Sequence, residues 1–503
     1  MRVAELKQVA GQQNRRRSAG FLTVGLVVTL AVCGCGNTYR PVVSAINPVG
    51  PAGQPTKYAV AVSNTTPYGS TPTPGLLTFV DVSGDTILST PSILPFPAPT
   101  TAGTATVAPA PTYINPNNFA INSSGSEGFV VNSSGTFNLF GLSNPTGLLT
   151  QNIVQTTLAQ NAVPNGIQTF SLPSTGTTIF VPQPSLTQIA ELELSTGPSL
   201  LQNLTVPNPV YTVGTDSAQR VYAISSNGTG NGTVYPIENS PVSIDSGNLI
   251  AVGVNPVYGI MTTDGNRAFI LNKGSGTVSV INVPNNALDS GAPTITLPTT
   301  VAGLTSAPNP VWADLSTVNA EMVVLNQGDG VHNGSLSIIS IPLCNSNTPV
   351  TNPNCNTANP IDAAGFGTIV ATVPVGINPT MVSVLADGSR AYVVNSGILP
   401  TGTSAGVEGS VSVVNLIEGV VTATIPATSS PANTLNISGA GSAPTEIYGH
   451  PNTIAATTGS PTGKVYVTST DNKYLTVIET DTDTVDTHIS LQGLGIRVLV
   501  TAK

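Results

Sequence analysis

Residues 378–426 decide the fold. They run Asn378-Pro379, then Met381-Val382-Ser383-Val384-Leu385, a turn at Asp387-Gly388, Arg390-Ala391-Tyr392-Val393-Val394-Asn395, Gly409-Ser410-Val411-Ser412-Val413-Val414-Asn415 and Val420-Val421-Thr422-Ala423-Thr424-Ile425-Pro426. Each run is five to seven residues long, rich in β-branched types and bounded by turn residues, which is the pattern of a strand. Asp-Gly between two such runs marks a hairpin, because both positions tolerate positive φ. The phrase therefore predicts one antiparallel sheet of four strands.

The phrase recurs along the chain. Its second and third strands reappear as Arg267-Ala268-Phe269-Ile270-Leu271-Asn272 with Gly276-Thr277-Val278-Ser279-Val280-Ile281-Asn282, and as Lys464-Val465-Tyr466-Val467-Thr468 with Tyr474-Leu475-Thr476-Val477-Ile478. Weaker copies begin at Tyr58, Gly128, Thr178, Val221 and Met322, which makes eight hairpins. An Asn-Pro dipeptide announces the leading strand at 115–116, 208–209, 255–256, 309–310 and 378–379, and Pro164-Asn165 and His450-Pro451 take its place in two units. The first unit has no leading strand. The chain ends on Gly495-Ile496-Arg497-Val498-Leu499-Val500-Thr501, placed as such a strand would be. A ring in which this last strand completes the first unit removes the exposed edges of a linear stack.

These phrases resemble the YVTN family of β-propeller repeats, close to the YncE-like and lactonase-like propellers. The resemblance covers roughly residues 57–503 and implies an all-β fold, a single propeller of four-stranded antiparallel blades. Members of the family commonly have seven blades. The repeat count here predicts eight, the alternative being seven with residues 164–206 not an independent blade.

Composition agrees with many short strands joined by turns. The 503 residues include 50 Gly and 42 Pro, with 40% hydrophobic and only 8% charged residues, which excludes long helical bundles and coiled coils. With 15 Lys+Arg against 24 Asp+Glu and a pI near 4.7, the chain lacks the basic patches on which nucleic-acid affinity rests. No nucleic-acid partner is expected.

The N-terminus reads as an export signal. Arg15-Arg16-Arg17 precedes the apolar run Phe21–Val32, whose twelve residues would span about 18 Å as a helix, short of a bilayer core of about 30 Å. Val32-Cys33-Gly34-Cys35 resembles a bacterial lipoprotein signal, which implies cleavage after residue 34 and lipidation of Cys35. The expected organisation is a signal peptide at 1–34, a flexible Pro-rich tether at 35–56 and the propeller at 57–503. The chain beyond residue 34 carries 10 basic and 23 acidic residues, a net charge of −13. Gly36 after the lipidated cysteine favours outer-membrane sorting, which would place the protein in the cell envelope. Cys344 and Cys355, eleven residues apart in a Pro/Asn-rich loop, are expected to form a local disulfide, since no His or further Cys stands near for a metal.

Groups for catalysis are sparse. Of three histidines, His488 lies in an outer strand and reads as a solvated edge residue, while His332 and His450 fall in loops of the channel face with Glu446 nearby. His450 is expected to cap a turn as the Asn of Asn-Pro does elsewhere. Glu479-Thr480-Asp481-Thr482-Asp483 lacks the Gly and final Glu of a calcium loop and reads as a turn. No cofactor or metal motif is found. The expected function is a lipid-anchored scaffold that binds a protein, glycan or small molecule on the face bearing loops 396–409 and 427–449. The alternative is a lactonase-like hydrolase opening a cyclic ester with His332, His450 and Glu446, which requires those groups to converge.

Overall fold

A computed structural model describes residues 57–501, apart from the connections 65–74, 91–115, 143–153, 159–169, 300–306, 343–364, 429–444 and 458–462 and the short stretches 123–124, 133–134, 173–175, 195–197, 217 and 403–405. The chain divides into Met1–Gln54 and Pro55–Lys503, and every described residue belongs to the second unit. Cys35, Cys344 and Cys355, with the expected signal and tether, lie outside the described residues.

The described residues form eight separate sheets of four or five strands, antiparallel except where the short strand Ile447–Tyr448 adds in parallel to Val420–Thr428, with one 3-10 turn at Pro184–Leu186 and no α-helix. The first strands of blades two to eight are Pro116–Ile121, Phe170–Leu172, Pro209–Val213, Pro256–Met261, Pro310–Ser316, Pro379–Val384 and Pro451–Ala456. Those of blades four to eight, then Leu494–Val500 and Pro116–Ile121, contact one another in that order around one axis, and Pro209–Val213 contacts Gly176–Gln183 of blade three. The weak unit around 164–206 is thus an independent blade, and its described first strand begins at Phe170, a few residues after Pro164-Asn165.

Leu494–Val500 supplies the first strand of blade one. It pairs antiparallel with Tyr58–Asn64 from Ala59↔Val500 to Asn64↔Leu494. Thr501 clasps Tyr58 across the junction, each backbone N–H donating to the other residue. Val498 packs between blades eight and one with Ala59, Ala61, Tyr466 and Leu475, all buried. The ring closes as the sequence predicts.

The recurring residues have separate jobs. In blades five, six and seven the second strand ends in a buried Asn whose amide donates to two hydroxyls of the third strand: Asn272 to Thr277 and Ser279, Asn326 to Ser335 and Ser337, Asn395 to Ser410 and Ser412, at 2.9–3.1 Å. The Asn before Pro takes a left-handed conformation, with φ of 41° at Asn208, 49° at Asn255, 50° at Asn309 and 52° at Asn378, a region this residue type enters at little cost. The Gly that opens the third strand lies against the next blade. A Cβ at Gly334 would come within 2.4 Å of the Pro379 ring, and one at Gly232 within 2.2 Å of Pro256.

Tyr in the second strand ties one blade to the next. The hydroxyls of Tyr222, Tyr392 and Tyr466 donate to Asn286, Asp483 and Asp85, each a left-handed residue in the turn between third and fourth strands of the following blade. The base two residues earlier joins the clamp: Arg390 pairs with Asp483 and Lys464 with Asp85. Asp481–Asp483 is therefore a turn, as expected, and also an inter-blade anchor. Burial and the adjacent carboxylate push the Tyr392 and Tyr466 phenols far up. In blade five the second strand has Phe269 in place of Tyr, and Arg267 instead pairs with Asp289 of its own blade, both side chains fully buried.

Candidate functional site

In an antiparallel blade the first and third strands start, and the second and fourth strands end, at the same face. That face carries the Asn-Pro turns, the hairpin loops between second and third strands and the connections to the next blade. His332, His450, Glu446 and the loop 396–409 fall there, while residues 429–444 of the connection 427–449 lie outside the described residues. In loop 396–409, Ile398 and Val407 exchange backbone hydrogen bonds of 2.8 Å, extending the hairpin and leaving Leu399 and Val407 exposed.

The two loop histidines are held separately. His332 Nδ1 lies 2.7 Å from Asp329 Oδ2 on the exposed hairpin loop of blade six. Asp329 also accepts backbone N–H groups from Val331 and His332, which hold its carboxyl far below the usual range. His450 is buried, with Nδ1 2.8 Å from Asp471 Oδ2 while its backbone N–H donates 2.7 Å to Asp471 Oδ1. This pair latches the start of the first strand of blade eight to that blade's hairpin loop. The left-handed position there is Gly449, at φ 83°, so His450 does not replace Asn in the turn. No hydrogen bond or ion pair joins His332, His450 and Glu446 to one another, and no group of three or more His, Cys, Asp or Glu among the described residues is placed to hold a metal.

His488 departs from the sequence expectation. It is half-buried, its ring stacked on Tyr448 at 3.8 Å between centroids and its Nδ1 3.1 Å from Thr476 Oγ1. The short strand Ile447–Tyr448 folds back beside the fourth strand of blade seven, which brings Tyr448 over the outer strand of blade eight. Burial pulls the His488 imidazole down to about 4 from 6.5. The unfolded chain therefore binds a proton that the folded chain refuses between these values, and stability rises with pH across that window. The expected result is a urea midpoint that falls as pH drops from about 6.5 to about 4, with a flatter profile for His488→Phe; equal slopes would remove His488 as the cause.

The channel itself holds the densest chemistry. In six blades the first strand bulges just after Pro, between Pro116/Asn118, Pro209/Tyr211, Pro256/Tyr258, Pro310/Trp312, Pro379/Met381 and Pro451/Thr453. The closing strand bulges in the corresponding place, between Gly495 and Arg497. A bulge re-aims the side chain that follows it. Asn118, Tyr211, Tyr258, Trp312, Met381, Thr453 and Arg497 thus occupy equivalent positions around the axis.

Their contacts run from ring to ring. Tyr211 and Tyr258 lie 4.8 Å apart, Tyr258 stacks on Trp312 at 4.4 Å, and the Arg497 guanidinium sits 5.2 Å over the Trp312 ring. Arg497 Nη1 donates 2.9 Å to Asn118 Oδ1 on the far side. Asn452 Nδ2 donates to the carbonyl of Ile496, and Val498 N–H to Thr453 Oγ1, which fixes the bulge. Tyr258, Trp312, Asp314, Met381, Ile454 and Arg497 border a cavity of about 280 Å³. Asp314 Oδ1 accepts from Leu315 N–H and Oδ2 from Val384 N–H, both at 2.9 Å. Burial raises the Tyr258 phenol well above its ordinary value and lowers the Arg497 guanidinium, which still remains charged. At the rim, Lys273 Nζ donates 2.7 Å to Gln327, whose amide donates 2.7 Å to Asn378, and burial lowers the Lys273 ammonium.

No protein-family model matches the chain, and no curated protein matches it significantly. Solved structures do. The dihydro-heme d1 dehydrogenase NirN in complex with DHE matches with a TM-score of 0.51 at 11% identity, covering 89% of this chain and 75% of that one. AztD from Citrobacter koseri matches at 0.50 and 10% identity, covering 88% and 97%. The periplasmic gluconolactonase PpgL of Pseudomonas aeruginosa matches at 0.45 and 16% identity, covering 73% and 95%.

Proposed function

We propose that this propeller is an exported, lipid-anchored binding protein of the bacterial cell envelope, which holds a ligand at the mouth of its channel without transforming it. The observation that carries the reading is the contrast between the rim and the channel. The titratable groups at the rim are bound in separate pairs, His332 with Asp329 and His450 with Asp471, whereas a cavity of about 280 Å³ bordered by aromatic and aliphatic side chains opens at the axis. Catalysis by general acid and base needs converging groups; binding needs a concave, mostly apolar site with a few polar anchors. The YVTN-type repeats, the lipoprotein-like Cys35 and the acidic body are consistent with this role outside the cytoplasm.

Thermal unfolding of residues 36–503 against lactones, oligosaccharides, peptides and divalent cations tests the proposal. A bound compound is expected to stabilise the fold by about 2.7 kcal/mol at a hundredfold excess over its Kd. Turnover of a lactone that is abolished by His450→Ala would replace binding with hydrolysis.

A further inference from the structure

The polar anchor in the channel is a cation without a counter-ion among the described residues. Arg497 makes one hydrogen bond to them, from Nη1 to Asn118. Its Nε is out of reach of water and has no partner, and no carboxylate among the described residues lies within ion-pair distance of it. Asp314 borders the same cavity, but its two oxygens accept backbone N–H groups of Leu315 and Val384. A buried charge left in this state is costly, because desolvation is not offset by pairing. Nη2 has no partner among the described residues either and, unlike Nε, is not sealed from water, so its donors are the ones left for a carboxylate.

The rest of the wall limits what that carboxylate belongs to. Met381, Ile454, Ala455, Ala456, Leu499 and Val500 are apolar, and Trp312 presents a large ring beside the guanidinium. Beside Arg497 the wall offers only the hydroxyls of Ser383 and Tyr258, and the Asp314 carboxylate repels anions, too little to replace the hydration of a multiply charged phosphate or sulfate. An organic acid with an apolar body would place that body against the aliphatic wall and its charge on the arginine. We propose that the channel binds a small apolar monocarboxylate, with Arg497 gripping the carboxylate and Trp312 and Tyr258 forming the wall beside it. This deepens the binding reading and rests on it.

Trp312 is the one tryptophan in the chain, so its fluorescence reports on this site alone. The full chain is titrated with benzoate and hexanoate, and with benzamide and hexanamide as neutral counterparts. The expected result is a saturable change in Trp312 emission with each acid and an affinity at least tenfold weaker for each amide. Arg497→Gln is expected to remove that preference, and Arg497→Lys to keep part of it. Should Arg497→Gln fail to fold, the comparison of acid with amide on the unaltered protein decides: equal affinities, or no response to either acid, overturn the proposal. A neutral ligand that raises the unfolding temperature without moving Trp312 emission overturns it too, while leaving the binding reading intact. Lactone turnover would end the binding reading, and a benzoate response surviving beside it would still support the carboxylate site.

Discussion

Deleting Leu494–Lys503 is expected to leave no cooperatively folded propeller at room temperature. The deletion removes a strand paired along Ala59–Asn64 and the buried Val498, with Leu494, Ile496, Leu499 and Val500 partly covered. At about 1.5–3 kcal/mol for a fully buried aliphatic side chain and less for the others, the loss is on the order of 5–10 kcal/mol. Domain stabilities are themselves about 5–15 kcal/mol. The deletion also strips the inner edge of Tyr58–Asn64, a buried strand whose backbone groups would then face the channel unpaired. Far-ultraviolet circular dichroism and limited proteolysis check the result. A permuted chain with residues 494–503 placed directly ahead of Tyr58 is expected to refold, because Thr501 already touches Tyr58 in the ring. A deletion that keeps a sharp, native-like unfolding transition would show that the ring does not need its closing strand.

Arg267→Ala is expected to cost about 3–5 kcal/mol, the usual penalty for removing one partner of a buried ion pair. Arg267 and Asp289 both have side chains with no exposure. Asp289 also accepts the backbone N–H groups of Gly291 and Ala292 through Oδ1, so its carboxylate cannot leave without unmaking the turn it organises. The arginine lies 5.8 Å over Phe366, against which its alkyl and guanidinium surfaces pack. Urea unfolding of the single variants and of Arg267→Met/Asp289→Asn measures the coupling. The double variant is expected to recover a substantial part of the loss, since it buries no lone charge. A single-variant cost below about 1 kcal/mol, the level of an exposed pair, would contradict the burial.

Much of the ring was legible because it rests on local phrases. Asn-Pro, the Asp-Gly turn and the run ending in Tyr-Val-Val-Asn each specify a strand end or a blade layer within a few residues of themselves. Eight such phrases gave eight blades, including the unit around 164–206. The closing strand was legible from position alone. What it contributes to the channel was not, because Leu494–Val500 lacks the Pro that marks the bulge elsewhere. Only its pairing with Val62 and Ser63 shows Arg497 to be the counterpart of Trp312 and Met381. Its hydrogen bond to Asn118 spans 379 positions of the chain, beyond any spacing rule. The surroundings of His488 are hidden for a similar reason. An outer strand is normally wet, and nothing in Val485–Ile489 announces that Tyr448 folds over it from the preceding blade. The inter-blade clamps do carry a sequence signal, a base two residues before Tyr in Arg220–Tyr222, Arg390–Tyr392 and Lys464–Tyr466.

Arg497 sits on Leu494–Val500, the strand that closes the ring against Tyr58–Asn64. It meets Trp312 of blade six on one side and Asn118 of blade two, 379 positions away, on the other. Closure of the ring and completion of the channel wall are therefore one step, because the residue that bridges the wall arrives only with the strand that shuts blade one.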